Sequence, residues 1–357
     1  MEPGTVSQSS VNEDPIATAK SEVLDLYAAP VRELPDDVQQ TVIETEPCIV
    51  CGETSAHPRL EVVGLGYRVI DCSGCGAGRL DPPPSPEEIE QFYPATYYGR
   101  GGSKFSYIIE WLVRLVGARH ARFLMRQSTS GARVLDVGCG RGVALRALAR
   151  MGMETHGFER SHDAVRGIDS RVQVRIADDL PAAGYADDFF DTVIIWHVLE
   201  HVRNPREVLL EVFRILKPGG RIIVAVPNYS SFQSRWAGSA WFHPDLPRHL
   251  FHLPVAGLQR LLEQCGFQCR SEHHFSLRQN PFGWIQSALN RLSIFPRNAL
   301  YVMLQRRKPD RRPRFSVVKR FALYAALMLL SGPALIMTVI AALLKSGATV
   351  HVVAVKR

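Results

Sequence analysis

The chain has 357 residues, of which 46% are hydrophobic and 22% charged. These are ordinary values for folded protein and argue against a disordered or fibrous chain; there is room for two or three folded units. The formal charge is +7, but eight basic residues against one acid, Asp310, fall between Arg306 and Arg320, so the remainder is close to neutral. A local basic patch of this kind does not point to nucleic acid as a partner.

The first ten residues, MEPGTVSQSS, have no basic start and no apolar core, so no secretory signal is expected. A cytoplasmic, reducing setting without disulfides follows. Residues 1–44 are polar, acidic and weakly periodic, and are expected to form a mobile leader with room for one short helix. Residues 45–83 carry two cysteine knuckles, Cys48-Ile-Val-Cys51 and Cys72-Ser-Gly-Cys75, twenty residues apart. This spacing suits a tetrahedral zinc ribbon. Gly52, Gly74 and Gly76 stand where the knuckle turns would need positive φ. Metal binding would supply folding energy on the order of 10 kcal/mol, which so small a unit needs. A closed four-thiolate site has no open position for chemistry, and the alternative is four free cysteines in a loop. Cys139, Cys265 and Cys269 lack such spacing, and the last two read as core residues.

Residues 84–129 read as a linker and N-terminal helices. DPPPSP at 81–86 is stiff and leads into a helix start with Glu87 and Glu88 in its first turn. A helix is expected over 104–127, with Tyr107, Ile108, Trp111, Leu112 and Leu115 along one face. From 130 to 357 short β-rich runs (RVLDVG, ETHGFE, VQVRIA, DTVIIWHV, RIIVAVPN) alternate with helical runs at 142–151, 161–167, 204–216 and 254–265. Such alternation predicts an α/β fold, a Rossmann-like sheet with helices on both faces.

VLDVGCGRG at 134–142 reads as a buried strand, a glycine turn and a helix start. Gly138 and Gly140 allow close approach of a ligand, and Gly142 allows close packing of the helix. Asp136 precedes the glycines. Glu159 ends the second strand, placed for ribose hydroxyls, and Asp178 follows the third. The nicotinamide fingerprint fails, because Gly138 and Gly140 are followed by Val143 where a third glycine is needed.

The order VLDVGCGRG, GFE, IADDL, FFDTVIIWHVLEHV, ILKPGGRIIVAVPN resembles the class I S-adenosylmethionine (SAM)-dependent methyltransferases. CIVCG, DCSGCG, LDPPPS and DLPRHL extend the resemblance to a bacterial methyltransferase-23-like group with an N-terminal zinc ribbon. The resemblance implies a seven-stranded sheet and SAM as cofactor. It also implies that Asp136, Gly138, Cys139 and Gly140 line the amino-acid end of SAM. Glu159 would take the ribose hydroxyls with Arg160 beside it, and Asp178 the adenine amino group with Asp179 and Leu180 nearby; a solvated loop is the plain alternative for the two aspartates. Methyl transfer is an in-line displacement, so a base is needed only for a hydroxyl or protonated amine acceptor.

His197, Glu200 and His201 form H-x-x-E-H, a string used by zinc proteases. A protease site needs that string on a helix with a third ligand downstream, whereas DTVIIWH reads as a strand. At the end of that strand His197 is either a base or a wall of the crevice. In the ubiquinone-biosynthesis O-methyltransferases a similar E-H-V string is associated with a divalent metal, so Glu200 and His201 either bind metal or hold the loop. Arg248 and His249, in the loop after the fifth strand, are expected to close over the site, binding an anionic acceptor or supplying the base. His243 and His252 are weaker candidates, and His273 and His274 read as structural.

Inserts are expected at 229–253 and 278–347. Residues 321–344 are uncharged, with Ser331, Gly332 and Pro333 midway. Arms of ten to twelve residues span only ~15–18 Å as helix, too short for a ~30 Å membrane core. The expectation is a helical hairpin dipping into one leaflet, led by the basic run, with a buried helix pair as the alternative. A SAM-dependent methyltransferase is therefore expected, acting on oxygen of a sugar, glycolipid or other small molecule. It would be cytoplasmic and peripheral on an anionic inner membrane face through 306–344. The competing readings are a non-catalytic SAM-fold module in a membrane assembly and, less favoured, the protease.

Overall fold

Two sheets organise the chain in the computed structural model, which describes residues 29–93, 131–305 and 315–357. The leader up to residue 28, the helix expected over 104–127 and residues 306–314 of the basic run lie outside the described residues.

The first sheet is antiparallel. β1 (Val31–Glu33) and β2 (Ile43–Glu44) pair along one edge of β3 (Ser55–Val62), and β4 (Tyr67–Cys72) then β5 (Gly78–Asp81) follow on its other edge. β1 and β2 fall within the stretch read from sequence as leader. The second sheet holds β6 (Arg133–Val137), β7 (Glu154–Glu159), β8 (Gln173–Ile176), β9 (Phe190–Trp196) and β10 (Leu216–Pro227). β11 (Phe251–His252) leaves it to pair with β5 in the first sheet; β12 (Phe267–His273) and β13 (Thr349–Lys356) complete it. Its order is β12-β13-β10-β9-β6-β7-β8. Every pairing is parallel except those of β13, which is antiparallel to both neighbours.

The central strands are apolar on both faces because helices cover both. Leu135, Val193, Ile195, Val224 and Val352 are fully buried, each worth about 2 kcal/mol of transfer from water. The helices Val143–Arg150, Pro205–Ile215 and Val255–Gln264 match the expected runs within two residues. Ser85 caps Pro86–Gln91 through a reciprocal box with Glu88, as the first-turn acids suggested.

Three expectations need correction. Residues 161–167 form turns, not a helix. Gly74 does not share the positive φ of Gly52 and Gly76; it is small because a Cβ there would meet Glu53 and the Cys51 sulfur at 3.2–3.3 Å. The apolar segment is one helix, Val317–Leu343, and not a hairpin. Leu323, Ala334, Thr338 and Ala341 form one buried stripe on both sides of Pro333. Packing of Leu323 and Ala334 with Trp284, Ile285 and Leu289 of the helix Asn280–Leu292 keeps the helix continuous through the proline.

Candidate active site

The parallel strands β6, β7 and β9 end side by side, and their C-terminal ends build the site. β6 turns at Gly138, Gly140 and Gly142, all at positive φ. A Cβ on Gly138 would lie 2.4 Å from Val198, the residue after His197, so this glycine lets the cofactor turn abut the histidine. Glu159 ends β7 buried, and its carboxylate accepts from the backbone N–H groups of Gly140 at 3.0 Å, Arg160 at 2.9 Å and Ser161 at 3.3 Å. Asp136 is buried on the adjacent strand. Burial and the nearby Glu159 charge push it up to about 7. Two buried carboxylates on adjacent strand ends form a site short of positive charge, which fits a cationic ligand such as the sulfonium and ammonium groups of SAM.

The remaining expected cofactor residues divide. Arg160, Asp178 and Asp179 are exposed at the ends of β7 and β8. Asp179 accepts the Ala182 N–H at 2.8 Å and so also braces its own turn. Leu180 packs in the core with Phe158. The Cys139 thiol presses on Gly157, where a Cβ would lie 2.6 Å from the sulfur, and burial pushes its pKa up.

His197 ends β9 at φ +51. Leu199–His201 form a 3-10 turn, so the H-x-x-E-H string lies across a strand end and a turn and lacks the helix a zinc protease would need. Glu200 is buried at the centre of a histidine cluster. Its Oε1 is 3.1 Å from His197 Nδ1 and 4.0 Å from His249 Nε2. Burial pulls His197 down to about 3 and pushes Glu200 up to about 7. His249 lies well below the usual range for the same reason. His197 Nε2, Glu200 Oε2 and His249 Nδ1 have no hydrogen-bond partner among the described residues. Buried polar atoms in that state are costly unless a ligand or water meets them. His201 is held at Nδ1 by the Tyr93 hydroxyl at 2.8 Å and the Arg248 carbonyl at 3.1 Å. Ligand atoms of Glu200, His201 and His249 lie within 4.8 Å of one another and could hold a metal ion; the unpartnered Glu200 oxygen fits that use.

Arg248 does not reach out over the crevice. Its buried guanidinium grips Asp245 at 2.7 and 3.1 Å and thereby fixes the loop that carries His249. His243 and His252 are buried, each pulled to about 3 by burial and each with Nε2 unpartnered among the described residues. His274 is buried and His273 partly so. His351, on β13, was missed by sequence reasoning. It stacks on Trp196 at 4.5 Å behind His197, and its signal was a lone histidine inside an apolar strand. The ties from Tyr93 to His201 and from Arg248 to Asp245 depend on the folded loop; nothing local in the sequence announces the first.

The cysteines of both knuckles converge. Cys48 and Cys75 sulfurs are 3.6 Å apart, Cys51 and Cys72 3.4 Å, and all four lie within 4.8 Å of one another. A zinc tetrahedron with ~2.3 Å bonds has edges of ~3.8 Å, so the four thiols fit such an ion.

A Rossmann-like sheet with a glycine turn, an acid ending its second strand and a histidine–glutamate cluster after its fourth defines a cofactor-binding enzyme. The chain belongs to the SAM-dependent methyltransferases. A family model described as a methyltransferase domain matches residues 108–272. A ubiquinone biosynthesis O-methyltransferase from Maricaulis maris is 31% identical over 212 residues, covering 53% of this chain and 83% of that protein. Another from Xanthomonas oryzae is 32% identical over 136 residues, covering 36% of this chain and 57% of that protein. A solved SAM-dependent methyltransferase from Archaeoglobus fulgidus aligns with 70% of this chain and 100% of its own, at 20% identity and a TM-score of 0.45.

Proposed function

We propose that the protein transfers a methyl group from SAM to a hydroxyl of a small molecule, at a site made by the ends of β6, β7 and β9. The relatives' name as O-methyltransferases supports oxygen as the accepting atom. The observation that carries the reading is the placement of half-buried His197, whose buried Nε2 has no partner among the described residues, directly beyond a glycine turn faced by two buried carboxylates.

When bound, SAM supplies an already activated methyl group. Asp136, Gly138, Cys139 and Gly140 would surround its amino-acid end, Glu159 and Arg160 the ribose, and Asp178, Asp179 and Leu180 the adenine. His197 takes the acceptor's hydroxyl proton at Nε2, while Glu200 Oε1 orients the ring through Nδ1. Arg248 positions His249, which closes the chamber. Cys48, Cys51, Cys72 and Cys75 hold a structural zinc. The acceptor is a sugar, glycolipid or similar molecule, met in the cytoplasm at an anionic membrane face to which 306–344 binds.

Calorimetric titration with SAM tests the core of this reading. Wild type is expected to bind, and Glu159→Ala to bind at least about tenfold more weakly, ~1.4 kcal/mol; a wild type that binds no SAM ends the proposal. Zinc content compared between Cys48→Ser and His201→Ala separates the thiolate site from the Glu200–His201–His249 cluster.

A further inference from the structure

A polar cavity of about 380 Å3 lies apart from the residues assigned to methyl transfer. Arg235, Arg291 and Arg297 line it, together with Glu33, Trp236 and Asn290. The three arginines are held in place by backbone carbonyls. Arg297 donates to Ser239 O at 2.6 Å and Trp241 O at 2.9 Å, Arg235 to Ser230 O, and Arg291 to Trp236 O while its guanidinium covers the Trp236 ring. Carbonyls fix a guanidinium without cancelling its charge. Elsewhere the fold pairs arginines with acids, as in Arg248–Asp245 and Arg59–Asp71. None of these three forms an ion pair among the described residues. Glu33, the one acid in the lining, is turned to the Ser239 N–H at 3.1 Å. The cavity therefore keeps a net positive charge, and burial pulls Arg297 down to about 10 for want of an anion. Leu292 and Ile294, next in sequence to lining residues, are 60% and 68% exposed and place apolar surface beside it.

We infer that this cavity binds a phosphate or diphosphate group. Planar guanidinium forks match phosphate oxygens, and anchored ones lose little freedom on binding. The group is carried either by a lipid headgroup or by a soluble phosphorylated metabolite.

The full-length protein tests this with two probes, inorganic pyrophosphate by calorimetry and flotation with phosphatidylcholine vesicles with and without phosphatidic acid. The double variant Arg235→Gln/Arg291→Gln changes two exposed side chains and leaves 306–320 intact. It is expected to lose at least about tenfold in pyrophosphate affinity, with SAM affinity unchanged as the control for folding. Glu33→Gln, which keeps the acceptor for Ser239, is expected to bind two- to threefold more tightly. Phosphatidic-acid-dependent flotation lost in the double variant assigns the site to a headgroup; an effect on pyrophosphate alone assigns it to a soluble ligand. Wild type that responds to neither probe, or a double variant equal to wild type with both, overturns the inference. SAM titration reads the methyltransferase proposal independently.

Discussion

Asp136 and Glu159 face the glycine turn from neighbouring strands, and the first is held near pKa 7 where an ordinary aspartate lies near 4. A folded-state pKa above the unfolded value means that the folded chain binds the proton more tightly. Stability from this group is therefore full below about pH 4, declines as pH rises to about 7, and stays low above it. Asp136→Asn removes the buried charge. In chemical denaturation the ligand-free variant is expected to exceed wild type by a few kcal/mol at pH 8, at most ~4 from a three-unit shift, with much less advantage at pH 4. The same variant should bind SAM more weakly. An equal stability difference at both pH values would refute the assignment.

His197 makes a second test at this scale, because its φ of +51 is one that glycine adopts without strain. His197→Gly should fold, keep SAM affinity, and lose ~10²–10⁴ in turnover with any acceptor that wild type methylates. Retained turnover, followed as S-adenosylhomocysteine release, would reduce His197 to a wall of the chamber.

The first sheet reaches the loop that carries Arg248 and His249 through one short strand. β11 pairs Phe251 with Arg79 and His252 with Gly78, immediately after Arg248 and His249. Val50 packs into the core of the second sheet, and Gln264 Nε2 donates to its carbonyl at 2.9 Å. Tyr229 donates to Asp71 at 2.8 Å across the same junction. A zinc ion held by the four cysteines, Cys72 and Cys75 among them, would brace β4 and β5 and, through them, the loop. Cys72→Ser is expected to lower zinc from about one ion per chain to nearly none, and to reduce turnover more than SAM affinity. Metal analysis beside SAM titration checks this; a variant that keeps its zinc would show the ion is held elsewhere. β6, β9 and β10 were legible because each is an apolar run between turn residues. The glycine turn and the cysteine pairs were legible because their chemistry is local in sequence. β11 was not, since two residues carry no period and their partner lies over 170 residues away. The unbroken helix through Pro333 was misread for a related reason. Proline and glycine are strong local breakers, but the stripe from Leu323 to Ala341 is set by a distant helix.

The helix Val317–Leu343 is apolar on every side, and its faces meet different surroundings. Val317, Phe321, Met328, Ile336 and Leu343 are exposed on the side opposite the buried stripe. Buried residues near both ends lay the whole helix along the fold, and β13 begins only five residues after it. A spanning arrangement would instead pull six basic residues between Arg306 and Arg314 through hydrocarbon, at ~2.5–3.5 kcal/mol each. Against a membrane the favourable arrangement would be in-plane: the exposed face would enter the interface, and each nearby basic residue would add about 1 kcal/mol on an anionic surface. Full-length protein is therefore expected to float with anionic vesicles, to be released by alkaline carbonate, and to lose affinity more than tenfold in Phe321→Glu/Ile336→Glu while still binding SAM. Resistance to carbonate would mean a crossing helix. Flotation unchanged in the double variant would mean that this face serves a protein partner and not a lipid surface.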